Sequence, residues 1–187
     1  MASELQTPLN VVYLDYDGVL HHEAVYLSQK LGIHIDQKVA PGAVLFEWAY
    51  VLVDALRPYP EMKIVLSTSW CRQRGFTRAK RRLPSELQDR VIGGTYHRGI
   101  HGADHWSRHQ FASTPRASQV LADVARRKPA HWIAIDDDVD DWPAKYLDHL
   151  VACDGRLGLS SPQAQDILRE RLAKTIELKI RRGQHDT

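Results

Sequence analysis

Five short segments, mostly apolar and each ending in small or acidic residues, constrain the fold more than any other feature of the sequence. Their residues are mostly continuous apolar runs rather than alternating ones, as in strands covered on both faces of a parallel sheet. Segments with helical patterns lie between them. The sequence therefore predicts an α/β fold, a three-layer α/β/α sandwich around a Rossmann-like, mostly parallel sheet of five strands. The five segments are residues 11–14, 63–66, 90–92, 131–135 and 149–152.

Two helical segments carry much of the predicted packing. Residues 42–57 are apolar almost all round, which predicts a helix deep against the sheet and ended by Pro58. Near the C-terminus, apolar residues recur every four positions beneath a charged face, which predicts a helix over about residues 162–182. The repeated residues are Leu168, Leu172, Ile176 and Ile180.

Length and composition favour a single domain over residues 1–187, with a core over about residues 10–160. The chain is 43% hydrophobic and 26% charged, which argues against intrinsic disorder, and a net charge of +2 excludes a polybasic protein. Two cysteines cannot build a disulfide framework, which favours a reducing compartment. We see neither a signal peptide nor a membrane span, so we expect a cytoplasmic protein without a membrane partner. The oligomeric state stays open.

Acidic residues follow two of the predicted strands. Asp15 and Asp17 come directly after the first strand, and Gly18 lets the backbone turn sharply there. Asp136, Asp137 and Asp138 close the fourth strand. Carboxylates that meet at a sheet edge repel one another and need a cation, and oxygen ligands favour Mg²⁺. Either group alone could instead cap a helix or lie in a solvated turn. Their joint position at strand ends favours a metal site.

Four motifs in this order resemble those of the haloacid dehalogenase-like (HAD) phosphohydrolase superfamily. Residues 15–20 match its first motif, DxDGxL, and residues 66–69 resemble the second, a Ser or Thr that closes an apolar strand. Arg116 stands where the third motif has its basic residue, and residues 135–138 resemble the acidic fourth motif. The resemblance covers roughly residues 10–160. Residues 67–72, 91–95 and 158–160 are similar, more narrowly, to a small capless subgroup that includes HAD domains of RNA-repair proteins.

The resemblance implies a catalytic role for the acidic residues. Asp15 would attack phosphorus and form an aspartyl-phosphate. Asp17 would protonate the leaving oxygen and then activate the water. Mg²⁺ would be held by Asp15, by the backbone carbonyl of Asp17 and by an acid of the 136–137 pair. We rank Asp137 as the direct ligand and Asp136 as its supporting neighbour.

The resemblance also implies a phosphate-binding set made of Thr68, Ser69 and Arg116. An Arg can neutralise phosphate with two parallel hydrogen bonds. The alternative for Thr68 is an ordinary local hydrogen bond. Arg116 could instead be a solvated helix residue, with Arg108 or Lys128 in its role.

The surroundings of this predicted site are short and rich in histidine and arginine. The intervals 21–41 and 96–114 cannot form a lid domain, so we expect an open site without a substantial cap domain. Histidines recur every four residues from His97 to His109, but two glycines interrupt them, which favours an irregular loop over a zinc-binding helix. Six basic residues lie within residues 72–82, beside Trp70 and Phe76. They form either a nucleic-acid surface with stacking platforms or a solvated face.

Together these features predict a Mg²⁺-dependent phosphatase. Its substrate would be a phosphomonoester, either a small molecule or the end of a nucleic acid. The alternative is a non-catalytic, regulatory module on the same fold that binds phosphate or nucleic acid. Two carboxylates as close as Asp15 and Asp17 argue against that alternative, because a module that only binds phosphate has no need for them.

Overall fold

The computed structural model describes residues 8–183, with side chains described for residues 8–175. Seven strands and eight α-helices alternate along this part of the chain. Two 3₁₀ helices, Ala144–His149 and Gly158–Ser160, flank the last strand. The strands are β1 (Asn10–Leu14), β2 (Val25–Ser28), β3 (Gly32–Ile35), β4 (Met62–Leu66), β5 (Val91–Gly94), β6 (His131–Asp136) and β7 (Leu150–Ala152). The α-helices are α1 (Ala49–Leu56), α2 (Ser69–Arg74), α3 (Phe76–Lys80), α4 (Ser85–Gln88), α5 (Arg98–His101), α6 (His105–Ala112), α7 (Arg116–Arg127) and α8 (Pro162–Gly183).

Five of the strands form one parallel sheet in the order β5-β4-β1-β6-β7. The central strand β1 pairs along its whole length with β4 and with β6, so that Leu14 lies opposite Leu66 and Ile135. The residues that follow these three strands therefore meet at one edge of the sheet. The predicted five-stranded α/β fold is confirmed.

Helices cover both faces of the sheet. Alternate residues of β1 point to opposite faces. Val12 belongs to the core cluster that includes Leu52 of α1 and Leu168 of α8. Tyr13 belongs to a second cluster, which includes Val120 of α7. These two clusters give the three layers, and the side chains of Ile176 and Ile180 lie outside the described residues.

The helix predicted over residues 42–57 begins later than its apolar pattern indicates. Residues 42–48 form turns, in which Phe46 has a φ of 64°. That conformation lets the Phe46 ring pack edge-on against Tyr16 and Trp70, while Val44 is 61% exposed. The prediction of the helix start was wrong, because these apolar residues pack through turns rather than along one helix.

The two intervals beside the predicted site also fold locally. Strands β2 and β3 form an antiparallel hairpin within residues 21–41, which the sequence did not predict. Residues 98–112 form α5 and α6, separated at Gly102 with a φ of 81°, rather than the irregular loop that we expected. Within residues 8–183 no substantial cap domain covers the strand ends. No helix of this part of the chain is long and apolar enough to cross a membrane.

Candidate active site

Three carboxylates meet where β1 and β6 end. Asp15 follows β1, Asp136 is the last residue of β6 and Asp137 comes next. The strands hold this register past the end of β1, because the Asp15 amide donates to the carbonyl of Ile135 at 3.1 Å. One carboxylate oxygen from each of the three acids lies within 4.8 Å of the other two. We call Asp15, Asp136 and Asp137 the acidic cluster.

Asp15 and Asp136 are buried and Asp137 is half-buried, which makes the negative charge of the acidic cluster costly. Burial raises the pKa of Asp15 and of Asp136 above the ordinary value for a carboxyl group. Burial and the charge of Asp15 raise the pKa of Asp137 to about 7. Oδ2 of Asp136 is buried without a hydrogen-bond partner among the described residues. An oxygen donor set of this kind fits a hard divalent cation such as Mg²⁺.

Gly18 allows the first motif to pass directly beside Asp137. Its φ is 68°, and a Cβ atom at this position would lie 2.0 Å from Oδ2 of Asp137. Only glycine accommodates both the backbone conformation and the close approach. On the other side, a Cβ atom at Gly155 would lie 2.2 Å from Oε2 of Glu23 and 3.1 Å from Oδ2 of Asp137. Glu23 is thus a further acid beside the cluster, which the sequence did not reveal.

Arg116 is the cation that faces the acidic cluster. Its Nη2 lies 3.1 Å from Oδ2 of Asp15, and its Nε lies 3.4 Å from Oδ2 of Asp136. Nη1 donates to the carbonyl of Ser67, which follows β4. Burial alone would lower the pKa of Arg116, but the two carboxylates raise it above its usual value. Of the alternatives to Arg116, Lys128 lies at the opposite end of α7.

Gln119 anchors Arg116 and was missed by the sequence analysis. Its Oε1 accepts a hydrogen bond from Nη1 of Arg116 at 3.4 Å. Its Nε2 donates to the carbonyls of Phe111 and Thr114, at 3.1 Å and 2.8 Å. The one available signal was a polar residue three positions after Arg116, on the same face of the helix.

Thr68 and Ser69 reach the same place from the end of β4. The Thr68 hydroxyl accepts a hydrogen bond from the Trp70 amide at 3.4 Å and so caps α2. Its hydrogen bond to Asp15 lowers the pKa of that acid and so opposes the effect of burial. A cavity of about 340 Å³ is lined by Thr68, Ser69, Arg116 and Gln119, together with Arg72. The structure therefore brings together the three residues predicted to bind phosphate, and we call this space the phosphate cavity.

The Asp17 carboxylate lies outside the acidic cluster and is held by two other side chains. Nε1 of Trp70 lies 2.9 Å from its Oδ1 and 3.2 Å from its Oδ2. Nε2 of His21 lies 3.1 Å from its Oδ1. Trp70 is 2% exposed, which disfavours it as a platform for stacking bases, one of the two interpretations of residues 72–82.

Four of the six basic residues over residues 72–82 line two cavities, and Lys80 instead donates to the carbonyl of Val91. Arg72 lines the phosphate cavity. Arg74, Arg78 and Arg82 line a second cavity of about 340 Å³, between the edge of Trp70 and residues 31–33 of the hairpin. None of these three arginine side chains has an ion-pair or hydrogen-bond partner among the residues that the structure describes. We call this cavity the arginine groove.

A larger cavity lies away from these residues. It has a volume of about 640 Å³ and is lined by residues of α1 and α8, including Tyr50, Leu168 and Arg169. None of the acidic residues described above borders it. The convergence of polar and charged side chains, rather than cavity size, therefore marks the candidate site.

Comparison with protein families gives one match. The model of the HAD domain in Swiss Army Knife RNA repair proteins matches residues 11–164. This span contains the acidic cluster, the phosphate cavity and the arginine groove. Comparison with curated proteins and with solved structures gives no match. The chain belongs to the family of HAD domains found in Swiss Army Knife RNA repair proteins.

Proposed function

We propose that this protein is a Mg²⁺-dependent phosphatase that hydrolyses a phosphomonoester through an aspartyl-phosphate on Asp15. Membership of the HAD family supports a phosphohydrolase-type activity. The observation that carries the finer proposal is the convergence of Asp15, Asp136 and Asp137 within 4.8 Å, beside the buried cation of Arg116. Few purely structural roles need three carboxylates at one buried point.

In the first half of the reaction, a carboxylate oxygen of Asp15 forms a bond to phosphorus while the bond to the leaving oxygen breaks. The Tyr16 amide donates to Oδ1 of Asp15 at 2.7 Å, and Arg116 donates to Oδ2, so the nucleophile is held in one orientation. Asp17 gives its proton to the leaving oxygen. In the second half, Asp17 takes a proton from water as the water attacks phosphorus, and Asp15 is released.

Charge stabilisation comes from the groups around the phosphate cavity. The Arg116 guanidinium and the hydroxyls of Thr68 and Ser69 would bind phosphoryl oxygens. The acidic cluster and the backbone carbonyl of Asp17 would hold Mg²⁺, with Asp137 as a direct ligand and Asp136 supporting it. When bound, this ion supplies positive charge that neutralises the transferred phosphoryl group.

The reaction is tested by measuring phosphate release from 4-nitrophenyl phosphate with Mg²⁺ and with EDTA. We expect release with Mg²⁺ only, and a loss of at least about 10³-fold for Asp15→Asn, because the amide is not a nucleophile. Asp140→Asn, at an exposed position, is the matched control and should keep full activity. Full activity of Asp15→Asn would remove Asp15 as the nucleophile.

We further propose that the physiological substrate is a phosphorylated nucleic-acid end. The arginine groove offers three guanidinium groups without partners among the described residues, and it is lined by Trp70, which also holds Asp17. Unpaired arginines along a groove are suited to successive backbone phosphates. The matching family is also named for RNA repair proteins.

The substrate proposal is tested by exchanging all three groove arginines, Arg74, Arg78 and Arg82, for Gln. We expect kcat/KM to fall for 3′- or 5′-phosphorylated oligonucleotides but not for 4-nitrophenyl phosphate. The slope of log affinity against log salt should become less steep by about 0.7 for each phosphate contact that is lost. Arg57→Gln, at an exposed position, is the control. Equal effects on both substrates would reject the groove as a nucleic-acid site.

The non-catalytic module remains the competing function. It predicts oligonucleotide binding that Asp15→Asn leaves unchanged, together with no phosphate release from any substrate by the wild-type protein. Release that requires both Mg²⁺ and Asp15 would reject it.

A further inference from the structure

The Asp17 carboxylate is held from two directions by side chains to which the sequence motifs assign no role. The Trp70 indole N–H points at both of its oxygens, at 2.9 Å and 3.2 Å. The His21 imidazole contacts Oδ1 at 3.1 Å through Nε2. The two partners come from different parts of the sequence, since His21 follows β1 and Trp70 follows β4.

Both partners are themselves immobilised. His21 is fully buried and Trp70 is 2% exposed. The Trp70 ring packs edge-on against Tyr16 and Phe46, with centroid distances of 5.6 Å and 5.5 Å. The His21 ring packs against Phe46 at 4.9 Å. Because both rings are buried and packed against other aromatic rings, the positions of their two nitrogen atoms orient the Asp17 carboxylate.

The contacts treat the two Asp17 oxygens unequally. Oδ1 faces both nitrogens, whereas Oδ2 shares only the longer contact to Trp70. The indole N–H can only donate. If His21 donates through Nε2, its buried Nδ1, which has no partner among the described residues, is left with an unused lone pair rather than an unpaired N–H. Oδ1 then accepts from both N–H groups, and Oδ2 is the oxygen with the fewer and longer contacts.

We propose that Trp70 and His21 are positioning residues that hold the Asp17 carboxyl group with Oδ2 turned toward the leaving oxygen of the substrate. This inference rests on the proposed role of Asp17 as the general acid. It goes beyond that role by naming the side chains that orient the Asp17 carboxyl group relative to the leaving oxygen. The 31% exposure of the Asp17 side chain shows that the acid reaches solvent while its two partners do not.

The test compares two substrates whose leaving groups differ in their need for protonation. Phenyl phosphate has a poor leaving group that needs protonation, whereas 2,4-dinitrophenyl phosphate has a good leaving group that leaves without it. Trp70→Phe keeps an aromatic ring but removes the N–H. We expect kcat/KM of this variant to fall at least about 10²-fold for phenyl phosphate and less than about 3-fold for the dinitrophenyl ester. The constant kcat/KM is the right measure because it reports the steps up to release of the alcohol.

A second pair of variants covers the case in which Trp70→Phe does not fold. His21→Gln keeps an N–H donor near the position of Nε2, and His21→Leu removes it. We expect the substrate-selective loss for His21→Leu and its partial rescue by His21→Gln. Trp106→Phe, at a tryptophan that is 75% exposed, is the control and should leave kcat/KM unchanged for both substrates.

The outcomes separate the two proposals. Equal losses on both substrates, in a protein whose wild type is active, would mean that Trp70 and His21 only support the fold, and would overturn the positioning role alone. A wild-type protein that releases no phosphate from either ester with Mg²⁺ would overturn the proposed function and the positioning role with it.

Discussion

The acidic cluster and the arginine groove carry opposite charges and are built in opposite ways. Around the acidic cluster the charges are buried or half-buried, and Arg116, whose side chain is 14% exposed, lies between the carboxylates of Asp15 and Asp136. In the arginine groove, Arg78 and Arg82 are exposed and have no partner among the described residues. Burial gives a charge a fixed position at a cost in desolvation, while exposure leaves it mobile and screened by salt. The first arrangement suits bond making, and the second suits the recognition of a long, flexible anion.

The comparison is tested most strongly at Arg116. Arg116→Met removes the one guanidinium that faces both Asp15 and Asp136, so we expect kcat to fall by about 10²–10³-fold. The free energy of unfolding should also fall, by about 3–5 kcal/mol, because two buried carboxylates lose their counter-charge. Turnover of 4-nitrophenyl phosphate and urea unfolding measure the two effects.

Arg116→Lys is the control for charge alone. Lysine keeps the positive charge, but its single nitrogen cannot replace the contacts that Nη1, Nη2 and Nε of Arg116 make with Ser67, Asp15 and Asp136. We expect it to recover much of the stability and only part of the activity. Wild-type activity in Arg116→Met would show that the cation is not part of the site.

Gly18 tests how closely the backbone must approach the acidic cluster. In Gly18→Ala, the added methyl group would occupy the space of the Asp137 carboxylate. We expect the Mg²⁺ concentration that gives half-maximal activity to rise by about 10-fold or more. Gly42→Ala is the matched control, because Gly42 also has a positive φ, of 81°, but a Cβ atom there meets no described atom within 4 Å. An unchanged Mg²⁺ requirement in Gly18→Ala would mean that Asp137 does not hold the ion.

The buried acids also predict a pH dependence of stability. Folding raises the pKa of Asp137 to about 7, so its contribution to stability is complete below the unfolded pKa of about 4 and is lost as the pH rises through 7. In EDTA, the Tm of Asp137→Asn should therefore rise relative to that of the wild type as the pH increases from 5 to 8. The rise should be about 2–4 °C for each kcal/mol of difference in the free energy of unfolding.

Mg²⁺ should reverse this effect at pH 8, since it would stabilise the wild type more than the Asp137→Asn variant. Thermal unfolding followed by circular dichroism measures both differences. Parallel Tm curves for the two proteins would contradict a repulsive cluster.

The smallest effect is expected in the arginine groove. Arg78→Met is the same substitution as Arg116→Met, but it removes no hydrogen bond or ion pair within the part of the chain that the structure describes. We expect the free energy of unfolding to change by no more than about 0.5 kcal/mol, with activity on 4-nitrophenyl phosphate unchanged. A large loss of stability, measured by urea unfolding, would mean that the two regions are not built differently.

The sequence predicts the sheet and the acidic edge well, because both depend on local patterns. Continuous apolar runs identify the five strands of the main sheet, Asp15 directly follows β1, and Asp136 is the last residue of β6. Parallel pairing of neighbouring strands then places these residues at one edge without further information. Arg116 could be located through the order of the motifs, since it begins the helix that leads to β6.

The residues that the sequence did not reveal act through long-range contacts. Nothing in the sequence around Trp70, His21 or Gln119 shows that they contact Asp17 or Arg116, although Trp70 lies in the run 67–72 that resembles the capless subgroup. Phe46 is an apolar residue that lies in a turn, so the apolar pattern over residues 42–48 indicates a helix that does not form there. The hairpin β2–β3 is short and partly exposed, although Val25 and Ile33 pack against the main core.

The most direct test of the mechanism is to identify the residue that becomes phosphorylated. The protein is mixed rapidly with Mg²⁺ and excess 2,4-dinitrophenyl phosphate, quenched in acid and treated with borohydride, which reduces an aspartyl-phosphate to homoserine. Peptide mass spectrometry then locates the change. We predict homoserine at position 15 in the wild type and none in Asp15→Asn. Turnover without any such change, or a change at another aspartate, would contradict the role of Asp15.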